Sequence, residues 1–157
     1  MLALLPYIQA TIEGLEIMLT LDMDKVTKGT WVEFYETNRD GTIPTFLLAH
    51  KGDANQRYLM RKEAILKPHR RRLQIGTMPE REAAQLLRQA FIETVLLDWK
   101  HFQPNDKGAE DEIKFSPKDA QYYLDMPEMT PLWEFLDNEA GQFERFRQVK
   151  LEEEVKN

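Results

Sequence analysis

The sequence predicts an α+β fold, mainly helical, with an N-terminal β-hairpin packed on a helical bundle. Three observations carry this. Residues 29–49 place aromatic and β-branched residues on both sides of an Asp-Gly turn. From residue 54 onward apolar residues recur at spacings of three and four, the period of a helix with one buried face. Helix-start signals at Thr77, Ser116-Pro117 and Thr130-Pro131 then divide the second half into separate helices. A chain of 157 residues buries about 68–70% of its unfolded surface, enough for one core. We assign a single domain to residues 18–150, an arm or extension to 1–17, and an acidic frayed tail to 151–157.

Residues 1–5 are apolar, but no positive residues precede them, Pro6 interrupts them, and Glu13 and Glu16 follow too soon for a membrane span. The segment is therefore expected to be neither signal peptide nor anchor. As an arm it would lay Leu4, Leu5, Ile8 and Ile12 on a hydrophobic surface; Met18 and Met23 make an in-frame extension the other reading. Trp31, Val32, Phe34 and Tyr35 form the first hairpin strand, Asn38-Arg39-Asp40-Gly41 the turn, and residues 43–49 the return, with Pro44 confined to the strand start or a free edge. A lone hairpin is marginal in water, so residues 15–21 are expected to add a third strand. Asp53 and Gln56 have the spacing of a capping box for a helix over 54–66, with Tyr58, Leu59, Ile65 and Leu66 buried and Pro68 as its stop. Thr77 and Glu80 repeat that spacing at the head of a long helix reaching Trp99, whose apolar stripe includes Ala83, Leu87, Ala90, Phe91, Thr94 and Val95. Residues 104–108 are turn chemistry. Ser116, Pro117 and Asp119 cap a short helix, and a last helix runs from Pro131 to about Val149 on Leu132, Leu136, Ala140 and Phe143.

Charge is unevenly placed. Residues 1–50 carry 3 Lys/Arg against 7 Asp/Glu, residues 51–102 carry 11 against 6, and residues 103–157 carry 7 against 14, for a net charge of −6. The basic middle holds Arg57, Arg61, Arg70, Arg71 and Arg72, a cluster that could grip phosphate or face an acidic protein partner. No helix-turn-helix, zinc or RNA-binding signature accompanies it, so nucleic acid is the alternative rather than the first reading. A basic middle and an acidic end also allow one copy to meet the next head to tail, as in an open filament.

Chemistry is sparse. The chain has no cysteine, which excludes disulfides and thiolate chemistry. His50, His69 and His101 stand in no ligand spacing, each reading as a surface or loop residue, and the acidic residues after Gly108 lack the alternation of a calcium loop. No phosphate loop or nucleophile elbow is present. The expectation is a protein without metal, cofactor or catalysis that works by contact. Trp133, Phe135, Leu136, Phe143 and Phe146 give the last helix more aromatic surface than one packing seam needs, so part of it is expected to bind a partner, with plain core packing as the alternative.

A hairpin carrying Trp31 and Tyr35, the run Val95-Leu96-Leu97-Asp98-Trp99, a Gly108 loop, Phe115-Ser116-Pro117-Lys118-Asp119-Ala120 and an apolar helix over 132–146 together resemble the tail assembly chaperones of long-tailed bacteriophages. The resemblance covers residues 18–146; Arg70-Arg71-Arg72 and residues 1–17 have no counterpart. It implies a non-enzymatic assembly factor in the host cytoplasm that oligomerises along the tape measure protein and recruits tail tube subunits. No residue roles carry over, because the family has no motif with assigned roles. A structural tail component is a further reading.

Overall fold

Asp40-Gly41 turns the chain as the sequence requires: Gly41 takes φ 87°, the Asp40 carboxylate accepts the Thr42 amide and hydroxyl, and the Asn38 amide donates to the Thr42 carbonyl at 2.8 Å. The computed structural model describes residues 8–12, 15–105 and 108–148, with the backbone alone for 8–12 and 15–19. Leu4, Leu5, Val149 and the tail 151–157 of the sequence reading lie outside the described residues. The order is β1 (Ile8–Ile12), β2 (Leu15–Leu19), α1 (Met23–Lys28), β3 (Thr30–Glu33), β4 (Thr45–Leu48), α2 (Gln56–Leu66), α3 (Arg70–Gln74), α4 (Glu80–Thr94), β5 (Leu96–Lys100), α5 (Pro117–Leu124), α6 (Thr130–Ala140) and α7 (Phe143–Phe146). The fold is α+β.

The predicted hairpin is β3–β4, and it sits in a three-stranded antiparallel sheet with β4 in the centre. The third strand differs from expectation. Residues 15–19 pair with β1 in a separate two-stranded sheet, and the sheet is completed by β5, which the sequence suggested was the end of the long helix. Hydrogen bonding explains the change: a helical turn at 96–99 would leave the free edge of β4 unpaired, whereas a strand satisfies it and sets Trp99 across from Phe46. Val32, Phe46, Leu48, Leu96 and Trp99 turn one face of the sheet inward, and α4 covers it with Ala90, Phe91 and Ile92. Pro44 stands just before β4, its carbonyl accepting the Phe34 amide at 2.8 Å.

Three caps lie one or two residues from where the sequence spacing puts them. Asn55, not Asp53, starts α2: it is almost fully buried, accepts the Tyr58 amide, and donates to the His50 carbonyl at 2.9 Å. A buried amide can serve both ends, which a carboxylate cannot. Pro79 rather than Thr77 precedes α4, with no side-chain cap, and the Thr77 amide instead donates to the Arg72 carbonyl. Ser116 caps α5 as predicted, accepting the Asp119 amide at 3.1 Å. Thr130 lies inside α6 and donates to the Pro127 carbonyl. Pro68 ends α2 at Leu66, but the chain passes through one tight turn straight into α3. The last predicted helix is two: Gly141 ends α6, and α7 turns back so that the Phe146 carbonyl accepts the Asp22 amide at 2.7 Å and the Gln148 amide donates to the Thr20 carbonyl.

His50 is not at the surface as expected; it is 9% exposed. Its Nδ1 lies 3.0 Å from the Ala140 carbonyl, its ring is 4.7 Å from that of Phe146, and its Nε2 would be 2.5 Å from a Cβ placed at Gly52. The neutral ring therefore donates through Nδ1 and fills a space only glycine leaves open. Burial holds its pKa below the ordinary 6.5, opposed by the Ala140 carbonyl and Asp53. The unfolded chain then binds more protons than the folded one as pH falls below that value, so stability is complete above it and lost on acidification. Urea midpoints are expected to fall as the pH drops below about 6.5 and to fall less in His50→Gln; equal slopes in the two proteins would refute the assignment.

Candidate functional site

The last-helix residues singled out in the sequence separate into three groups. Leu136 and Phe146 are fully buried, so neither is available to a partner in this conformation; they hold α6 and α7 to the core. Trp133 and Phe135 pack partly against the core from opposite sides of α6, and Phe143 is 36% exposed. Two neighbours on a helix point about 100° apart for each residue step, so positions two apart face different flanks. Trp133 reaches Phe91, ring centroids 4.8 Å apart and edge to face, with the Arg88 guanidinium 5.4 Å from its ring. Phe135 instead meets Phe34 and Tyr35 of the loop after β3, at 5.2 and 5.7 Å.

On the Trp133 side, α2, α4 and α6 enclose an open cleft of about 470 Å³. Tyr58 and Leu59 from α2, Leu87 and Phe91 from α4, and Trp133 from α6 make its apolar walls. Lys51, Asp53, Lys62 and Asp137 stand around it, Lys51 paired with Asp137 and the Lys62 ammonium 5.3 Å from the Tyr58 ring. Burial raises the Tyr58 pKa, and Asp137 raises it further. The phenol is therefore held in its neutral form. Leu87, assigned to the core by its spacing, is 42% exposed at the mouth of this cleft. Its stripe is wider than the buried seam, and the surplus lines the cleft.

The arginines lie apart from this cleft and largely answer acids of the same chain. Arg61 pairs with Glu93, Arg70 with Glu63, and Arg72 makes two bonds of 2.8 Å to Glu82; Arg57 donates to the Glu93 carbonyl. These hydrogen bonds raise the pKa of Arg61 and Arg72 and lower those of Glu93 and Glu82. Glutamates from α2 and α4 thus cancel most of the charge that made 57–72 look like a phosphate grip. Arg71 keeps its charge with no ion-pair partner among the described residues.

Among the described residues no group of three or more His, Asp or Glu could hold a metal ion. No helix among them is long and apolar enough to cross a membrane. The model of the YdaY prophage protein family matches residues 53–157, well over half of the chain. The chain belongs to this family. As a YdaY prophage protein it is phage-derived, and its role is a phage-related one. The family match begins at Asp53, so it takes in α2, α4 and α6 and with them the walls of the cleft. No curated protein and no solved structure matches the chain.

Proposed function

We propose that this YdaY prophage protein is a tail assembly chaperone, one that catalyses no reaction but binds the tape measure protein and helps recruit tail tube subunits in the host cytoplasm, self-associating as it does so. The observation that supports this best is the cleft between α2, α4 and α6, an apolar slot open to solvent with charges of both signs around it. A tape measure protein is long and helical, and its apolar stripe aggregates unless covered. A slot that takes one apolar side chain at a time, with charges that keep the slot's owner soluble, suits that task. Prophage membership supports the setting, and the sequence resemblance supplies the partner.

The test is co-expression with the tape measure protein encoded in the same prophage. The tape measure protein is expected in the soluble fraction, eluting with the chain from a sizing column. Leu87→Glu places a charge at the mouth of the cleft on an already exposed position, so it is expected to keep its own melting transition and to lose the complex. A tape measure protein equally soluble alone, or bound equally by Leu87→Glu, overturns the reading.

A further inference from the structure

The two edges of the three-stranded sheet are finished differently. In an antiparallel pair, residues that bond to the neighbouring strand alternate with residues whose amide and carbonyl point away from it. The Phe34 amide donates to the Pro44 carbonyl at 2.8 Å, so in the register of β3 on β4 the bonded residues are Thr30, Val32 and Phe34. Trp31 and Glu33 therefore direct their backbone groups off the free side of β3. On β5, Asp98 and Lys100 bond to β4, and Trp99 and His101 face outward. That edge is closed: the Asp98 carboxylate accepts the Trp99 amide at 2.8 Å, and the Glu112 carboxylate accepts the His101 amide at 3.1 Å. Among the described residues no side chain serves the Trp31 or Glu33 backbone in this way. An exposed strand edge is a template for another chain unless it is guarded. Here one edge is guarded and the other is bare, with Trp31 41% exposed upon it.

We propose that the bare edge of β3 pairs with β3 of a second copy of this chain, antiparallel about a twofold axis at Val32. Trp31 then stands opposite the partner's Glu33, and Glu33 opposite the partner's Trp31. Both pairs exchange their backbone hydrogen bonds, so every outward group of β3 is satisfied. Other registers in the same phase match fewer outward residues within β3, and one of them sets two Glu33 carboxylates against each other. Charge favours the same register. Val32, Phe46 and Trp99 point inward, so Trp31, Glu33 and Lys100 share the outer face, where the Lys100 ammonium lies 4.0 Å from the centre of the Trp31 ring. Opposed side chains stand on one face of an antiparallel pair, so the partner's Glu33 comes down beside that cation, and the symmetry repeats the contact. The guarded edge of β5 keeps the sheet from growing further, so the pairing closes at two copies. This gives the self-association of the proposed function a place, yet it needs no tape measure protein and no residue lining the Trp133 cleft.

The test uses the full chain alone, with light scattering behind a sizing column and amide hydrogen exchange, each over a range of concentration. Mass is expected to rise toward that of two copies. Exchange at the Trp31 and Glu33 amides is expected to slow as it does so, while exchange at Trp99 and His101 stays constant. Glu33→Pro removes an outward amide at an exposed edge position, which a strand tolerates, so it is expected to keep its melting transition and remain monomeric. Glu33→Lys sets cation beside cation and is expected to raise the dissociation constant about tenfold; adding Lys100→Glu is expected to restore it. Leu87→Glu is expected to pair as the parent chain does, so failure of the edge and failure of the cleft are read separately. A monomer at every concentration, pairing unchanged in Glu33→Pro, no added protection at Trp31 and Glu33, or no rescue by Lys100→Glu overturns the assignment.

Discussion

Phe91→Asp leaves no cooperatively folded state, whereas Leu87→Asp, one helical turn earlier on the same face of α4, folds and melts cooperatively. Both belong to one apolar stripe in the sequence, and spacing alone gives them the same fate. Their surroundings do not. Phe91 is 1% exposed and its ring meets Trp133 at 4.8 Å, while α4 joins α2, α5 and β5 along this seam. Truncating such a phenylalanine to alanine costs about 3–5 kcal/mol, already a large part of the roughly 5–15 kcal/mol that holds a domain together. An aspartate adds a carboxylate to an apolar seam, and Arg88, whose guanidinium lies over the neighbouring Trp133 ring, is committed to Asp125 at 2.7 Å. Leu87 has water at 42% of its surface, so its aspartate stays hydrated. Urea melts followed by circular dichroism separate the outcomes, and a cooperative transition in Phe91→Asp would show that α4 is placed wrongly.

The legible parts of the fold were those specified by neighbours in sequence. The Asp40-Gly41 turn and the Ser116 cap are closed by groups within three residues of one another, so local chemistry decides them. β5 was misread because its strand state depends on the unpaired edge of β4, about fifty residues away. The apolar run 95–99 suits a helix end or a strand equally well until that partner is known. Asn55 was passed over for Asp53 for the same kind of reason: its value lies in reaching the His50 carbonyl while capping α2, which is a tertiary fact.

The candidate site was legible in its residue types and illegible in its division. Trp133 and Phe135 share one aromatic character in the sequence, yet they lie on opposite flanks of α6, Trp133 lining the α2–α4–α6 cleft and Phe135 against Phe34 and Tyr35. Leu136 and Phe146 have the same sequence character and are core. The arginine cluster gave the loudest signal and proved mostly self-neutralised, since Glu63, Glu82 and Glu93 reach it from elements whose packing was unknown.

Phe146→Ala is expected to release one part of the molecule rather than all of it. The ring is fully buried, and the loss of its packing costs about 3–5 kcal/mol if the backbone stays in place. It need not stay. Residues 143–148 are tied down by Phe146, by the Asp22 and Gln148 amides, and by Lys25 donating to the Arg147 carbonyl at 3.2 Å. Apart from the Phe146 ring on His50 and the ion pair of Arg145 with Glu139 of α6, these ties lead to α1 and the residues before it, so the segment and α1 can leave together without breaking the β3–β4–β5 pairing. His50 marks the boundary: its amide donates to the Val26 carbonyl and its ring rests on Phe146. Hydrogen exchange in Phe146→Ala should therefore quicken at Asp22, His50 and Gln148 and stay slow through β4. The His50 ring, newly wetted, should also lose most of its acid sensitivity, since burial is what depresses its pKa. Uniformly faster exchange across the sheet would mean that α1 and α7 fold as one unit with the core, not as a clasp laid over it.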